Sequence, residues 1–188
     1  MELIYITIMI KNKLILTIFF ALTGLIMAND LENKKAVFAA GCFWGVQSTF
    51  QQMEGVKTTT VGYIGGKVKN PSYELVCTGL TGHAEAVEIE YNPQKVSFET
   101  LLDTFFELHD PTTLNRQGPD IGTQYRSAAY FSSNEEKEII SKKIESLNES
   151  GKFSSKVVTE VEALSEFYDA EDYHQDYYKK RGIDGCAI

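Results

Sequence analysis

The sequence predicts an α+β fold, a mixed sheet built from split β-α-β units with an additional helix and strand. Three observations carry this. Short apolar or β-branched runs alternate with stretches of helical spacing, in the order strand-helix-strand, strand-helix-strand, then helix-strand. Glycines and an Asn-Pro pair fall between the runs as turn signals. No repeat, linker or low-complexity tract interrupts them, and 188 residues suffice for one domain with a proper core.

Residues 1–28 stand apart. Lys11 and Lys13 precede Leu14 to Met27, an almost uninterrupted apolar run closed by Ala28-Asn29. A basic start, an apolar middle and a small residue at the end read as a cleaved secretory signal peptide, with Met9 an alternative start to Met1. The run is short against the roughly 20 residues of a membrane span, so an anchor, counted from Met1, is the alternative. The expected location is the periplasm or outside the cell, with residues 29–188 forming one domain.

The first strand is Lys35 to Ala40, and the first helix is Phe43 to Met53, with Val46, Phe50 and Met53 at helical spacing and Gly55 as its stop. Val56 to Tyr63, rich in Val and Thr, is the second strand. Gly62, Gly65 and Gly66 mark a loop, and Pro71 to Gly79 reads as a short helix closed by Gly79. Ala84 to Tyr91 is the third strand. Its alternation puts Glu85, Val87, Ile89 and Tyr91 on one face and Glu88 and Glu90 on the other, wet one. After Asn92-Pro93, Ser97 caps a helix whose buried stripe is Phe98, Leu101, Leu102 and Phe105, with Val96 and Leu101 as a staple. Thr112 to Gly122 is a polar loop, and Gln124 to Phe131 a strand. Ser133 and Glu136 form a capping box, Ile140, Ile144 and Leu147 the core face of that helix, and Gly151 its stop. Lys156 to Leu164 is the last strand, Phe167 to Tyr178 an aromatic, partly helical segment, and Arg181 to Ile188 a Gly-broken tail.

Within this frame Cys42 sits where a strand ends and a helix begins. Unpaired N–H groups and the positive dipole end of a helix favour a thiolate, which is the nucleophilic form. Gly41 permits the sharp turn. By position alone a small buried hydrophobe is an equal reading of Cys42. Glu85 lies on the apolar face of its strand, where desolvation raises a carboxyl pKa toward the proton-donating form; an exposed strand end is the equal alternative. The net charge of −8, with 18 basic against 26 acidic side chains, argues against nucleic acid as partner. An odd count of three cysteines in an exported chain points to a cycling thiol rather than a static disulfide framework. Cys77, in an apolar helix, is expected to be buried and inert.

Four segments combine polar and aromatic residues: Gly41-Cys42-Phe43-Trp44-Gly45; Pro71-Ser72-Tyr73-Glu74; Gly82-His83-Ala84-Glu85; and Gly118 to Ser127. With Tyr173-His174-Gln175 they resemble, from Lys34 to about Lys180, the peptide methionine sulfoxide reductases of type A. The resemblance implies a ferredoxin-like βαββαβ core and reduction of the S epimer of methionine sulfoxide, free or in proteins, as repair of oxidised proteins. It assigns Cys42 as nucleophile, passing through a sulfenic acid, and Phe43 and Trp44 as cradle of the substrate methyl. Glu85, Tyr73 and Tyr125 become donors to the sulfoxide oxygen, and Asp120 an acidic support of the site. Cys186, between Gly185 and Ala187, is expected to resolve the sulfenic acid to a disulfide, reduced in turn by a thioredoxin-like protein. No cofactor or metal is expected, and the chain is expected to be a monomer. Other readings are a cysteine hydrolase using His83, His109 or His174, a binding module for methionine-like side chains, and a metal site at Cys42, Cys77 and His83, for which no compact ligand spacing exists.

Overall fold

The computed structural model describes residues 33–183, so the expected signal segment and Cys186 lie outside the described residues. Eight strands and five helices follow in order: β1 Lys34–Ala40, α1 Phe43–Gln51, β2 Val56–Ile64, α2 Tyr73–Cys77, β3 Ala84–Tyr91, α3 Phe98–Glu107, β4 Arg116–Gln117, β5 Asp120–Ile121, β6 Ser127–Phe131, α4 Asn134–Ser150, β7 Glu160–Ala163, β8 Tyr168–Asp169 and α5 Tyr177–Lys180. The main sheet runs β7-β6-β1-β3-β2-β8. β3 is antiparallel to both β1 and β2, and β6 is antiparallel to β1. The order β6-β1-β3-β2, with α1 and α3 as crossovers, is thus a ferredoxin-like pair of split β-α-β units. β6, α4 and β7 extend it by a parallel pair, which makes the sheet mixed.

β1 reads as continuously apolar because both of its faces are covered. Ala36, Phe38 and Ala40 join Val61, Tyr63, Val87, Ile89 and Ala129 against the helices. Val37, Ala39, Ile64, Ala84, Ala86, Ala128 and Tyr130 form a second cluster on the opposite face, with Phe167 packed on it. Phe38 is the hub of the first, its ring 5.0 Å from Phe105 and 5.9 Å from each of Phe50 and Phe98. Ser97 Oγ accepts from Thr100 N–H at 3.1 Å, and the staple pair Val96 and Leu101 is buried. At α4, Ser133 Oγ accepts from Glu136 N–H, but the Glu136 carboxylate turns to Ser132 N–H and Oγ–H rather than to the cap residue.

Four expectations are corrected. Gln124 to Phe131 is not one strand: Thr123–Tyr125 is a single 3-10 turn, which twists Tyr125 out of the ladder before β6 starts. The polar loop before it contains the β4–β5 hairpin. The last strand shrinks to Glu160–Ala163, and part of the aromatic segment becomes β8, an edge strand on β2 at Gly62 and Tyr63. Cys77 is exposed, not buried, because α2 is short and turns its Val76 side inward. Among the described residues no helix is long and apolar enough to cross a membrane.

Candidate active site

Cys42 is the N-cap of α1 and Phe43 its first helical residue. Gly41 adopts φ +88°, and a Cβ there would lie 2.6 Å from the Gln117 Cβ, so glycine is required both for the turn and for the passage of the β4–β5 hairpin over it. The first amide of α1, Phe43 N–H, donates to Glu85 Oε2 at 3.2 Å. Glu85 faces α1 because the pleat sets it beside Tyr63 of β2 and on the same side as Val87. It is 2% exposed. Burial pushes its pKa up to about 8; the Phe43 N–H bond opposes this, and the charge of Asp120 adds to it. A carboxyl group so placed is mostly protonated at neutral pH and can donate.

Cys42 and Glu85 line one cavity of about 400 Å³ with Phe43, Trp44, Tyr73, Gln117, Asp120, Tyr125 and Tyr178. Burial, and for Tyr73 a bond shared with the Cys77 thiol, holds the Tyr73 and Tyr125 phenols well above the ordinary tyrosine range, so both remain O–H donors. The residues that the family resemblance assigns within positions 33–183 therefore all line this cavity, whereas Cys77, His83, His109 and His174 do not. A larger surface groove of about 760 Å³, between α1, the start of β2 and α5, is lined mainly by Ser48, Gln51, Gln52, Thr58 and two lysines. It holds neither thiol nor buried acid. Desolvation and the surrounding carboxylates push the Cys77 thiol pKa up, which keeps it protonated despite its exposure.

Phe43 and Trp44 form the apolar wall. Phe43 packs 6.0 Å from Tyr63 and 5.2 Å from His174. Trp44 stacks on Tyr177 at 3.7 Å and 5°, and the Arg181 guanidinium covers the other side of Tyr177 at 3.6 Å. Trp44 Nε1–H donates to His174 Nδ1 at 3.1 Å, which fixes the tautomer of a buried imidazole that desolvation keeps neutral. Glu171, Tyr177, Tyr178 and Gln117 carry no signal of a site role in the sequence, and His174 carries one only as a candidate hydrolase base and within the Tyr173-His174-Gln175 triplet. His174, Glu171, Tyr177 and Tyr178 come to the site or its walls because the chain after β7 folds back, and Gln117 comes to it on the β4–β5 hairpin.

The imidazoles do not form a hydrolase dyad. His83 engages Gly66 N–H and the Val68 carbonyl, and His109 engages the Phe105 carbonyl and Ser127. His174 Nδ1 is taken by Trp44, and its Nε2 lies 3.9 Å from Glu171. Among the described residues no three His, Cys, Asp or Glu side chains gather as a metal site.

A thiol at a helix start, an uncharged acid, two phenols and an aromatic wall suit transfer of an oxygen atom from a small dipolar group. The sequence profile of the family "Peptide methionine sulfoxide reductase" matches residues 34–188. The peptide methionine sulfoxide reductase MsrA of Methanothermobacter thermautotrophicus is 52% identical over 155 residues, covering 82% of this chain and 92% of that protein. The crystal structure of reduced Mxr1 from Saccharomyces cerevisiae superposes with a TM-score of 0.75 at 36% identity, covering 83% of this chain and 90% of that one. Mxr1 in complex with Trx2 matches with a TM-score of 0.54 at 28% identity, over 78% of this chain and 85% of that one.

Proposed function

This chain belongs to the MsrA family of peptide methionine sulfoxide reductases and returns the S epimer of methionine sulfoxide to methionine, and we propose that it does so with Cys42 as nucleophile and Glu85 as proton donor. The observation that carries this assignment is Glu85, a carboxyl with pKa raised to about 8 in the cavity that Cys42 lines. The Cys42 thiolate, favoured at the start of α1, attacks the sulfoxide sulfur. Charge builds on the oxygen, and the Glu85 proton moves toward it. Tyr73 and Tyr125 donate to the same oxygen. Donors aimed where charge develops stabilise the transition state more than the ground state. The S–O bond and the bond just formed between the two sulfurs then break as the oxygen, carrying the Glu85 proton, passes to Cys42: methionine leaves reduced by two electrons, and Cys42, oxidised by two, is left as a sulfenic acid.

Phe43 and Trp44 seat the substrate methyl. One methyl adds only about 0.8 kcal/mol of burial, so stereochemical choice rests mainly on the donors. Asp120 supports the site by its charge, which helps keep Glu85 protonated. Cys186 then condenses with the sulfenic acid, releasing water and leaving a disulfide that a thioredoxin-like dithiol reduces; the Mxr1–Trx2 complex supports such a partner. The basic and apolar pattern of residues 1–28 supports an exported enzyme with a reductant outside the cytoplasm.

A dithiothreitol-driven assay on the two sulfoxide epimers, followed by mass analysis of Cys42, tests this reading. Turnover of the S epimer is expected with dithiothreitol, and a gain of one oxygen on Cys42 is expected in Cys186→Ser given the sulfoxide without reductant. Sulfoxide reduction by Cys42→Ser would overturn the nucleophile assignment. Cys186→Ser is expected to complete one turnover and then stall with a thioredoxin-type reductant; normal cycling would remove Cys186 from the scheme.

A further inference from the structure

The chain after β8 carries a carboxylate that does not itself line the cavity and yet reaches three of its walls from behind. β8 is zipped to β2 at Gly62 and Tyr63, Ala170 N–H donates to the Val61 carbonyl, and the Gln175 side chain bonds Val61 N–H, Val61 O and Ala170 O. This seating fixes Glu171. Its Oε1 accepts from Tyr73 N–H at 2.9 Å, at the first residue of α2, and its Oε2 accepts from the Tyr63 hydroxyl at 2.9 Å. Tyr63 packs on Phe43. Glu171 Oε2 also lies 3.9 Å from His174 Nε2, too long for a hydrogen bond but close enough to favour the Nε2–H tautomer, whose Nδ1 holds Trp44. The His174 ring lies 4.4 Å from that of Tyr73.

Resting on the oxygen-donor role given to Tyr73 above, we propose that Glu171 is a positioning residue for sulfoxide reduction, placing the Tyr73 phenol through the Tyr73 amide and bracing Phe43 and Trp44 through Tyr63 and His174. Partial burial alone would raise the Glu171 pKa, but the bonds from Tyr73 N–H and Tyr63 outweigh it and keep the carboxylate ionised. α2 has only five residues, so it has little internal rigidity with which to aim Tyr73. The external carboxylate on its first amide supplies that rigidity. Tyr63, its own pKa driven up by burial and by Glu171, stays a donor to the same group.

The test compares wild type, Glu171→Gln, Glu171→Ala and Tyr73→Phe, with each Glu171 change also made in the Tyr73→Phe background. Single-turnover reduction of a methionine S-sulfoxide peptide is read together with emission from Trp44, the one tryptophan. Glu171→Gln, which keeps the shape and one acceptor oxygen, is expected to slow the single-turnover rate by on the order of 10-fold, and Glu171→Ala by on the order of 100-fold. KM should change less than the rate, and Trp44 emission should shift. The loss should be at least threefold smaller in the Tyr73→Phe background, which a merely destabilising change would not produce. Equal fold-losses in both backgrounds, or a Glu171→Gln enzyme within about twofold of an active wild type, would overturn the inference alone. A wild type that reduces no sulfoxide would overturn the functional reading and this inference with it. Should Glu171→Ala fail to fold, the Glu171→Gln comparison decides.

Discussion

Replacing Glu85 by Gln separates function from stability at one atom. The glutamine carbonyl can still accept from Phe43 N–H, but the side chain neither ionises nor gives up a proton. Wild-type Glu85 has its pKa raised from 4.5 to about 8 by burial. The folded state therefore holds this proton across a window in which the unfolded chain releases it. The stabilising contribution is fully present below about pH 4.5, declines as pH rises, and is gone above about pH 8. At about 1.4 kcal/mol per pH unit, the decline amounts to roughly 3 kcal/mol by pH 7. Glu85→Gln should thus be more stable than wild type at pH 8, while the two converge near pH 4.5. Its sulfenic-acid-forming step should be slower, on the order of 100-fold for loss of a general acid. Wild-type turnover should fall above about pH 8 as the donor ionises. Urea unfolding of both proteins from pH 4.5 to 9, with single-turnover reduction, measures all of this. A stability difference that does not change with pH, or an unchanged single-turnover rate in Glu85→Gln, would refute the buried-acid argument.

The two phenols share one task, so Tyr73→Phe and Tyr125→Phe should each slow single turnover about tenfold, and the double change on the order of 100-fold; a double variant no slower than either single one would show that only one phenol reaches the oxygen. Gly41→Ala meets both a positive φ and the Gln117 side chain, and should cost about 2–4 kcal/mol by denaturant midpoint. Gly151→Ala, at φ +71° with open space around it, should cost only about 1 kcal/mol. His109 is held neutral by burial, its pKa lowered from 6.5 to about 4. Its contribution is present above pH 6.5 and is lost as pH falls through about 4, up to about 3 kcal/mol, so urea midpoints should drop with acid over that window and drop less in His109→Gln.

Much of this protein was legible in its sequence because period and punctuation are local. The alternation of Ala84 to Tyr91 is enough to set Glu85 with Val87 and Ile89, and the Cys42 position follows from an apolar run meeting a helical one. Ser97 and Ser133 were readable as caps because a cap bonds within three residues. The burial of Glu85 was not readable, since its alternation fitted an exposed strand end equally well. Only Tyr63 beside it and α1 over it decide the matter. Tyr125 was assigned to a strand, and Cys77 to the interior, because neither a 3-10 turn nor the solvent side of a five-residue helix leaves a period to read.

What the sequence by itself determined is the order of the longer strands and helices, the helix caps and the chemical kinds of side chain available, each set by neighbours a few residues apart. What only the tertiary structure decided is the company those side chains keep: Phe43 N–H on Glu85 across 42 positions, Trp44 on His174 across 130, Tyr73 on Glu171 across 98. Such contacts exist because the split β-α-β pairing and the β8 edge strand bring distant segments to one end of the sheet. The raised pKa of Glu85 and the stacking of Trp44 come from that burial and leave no periodic trace in the chain.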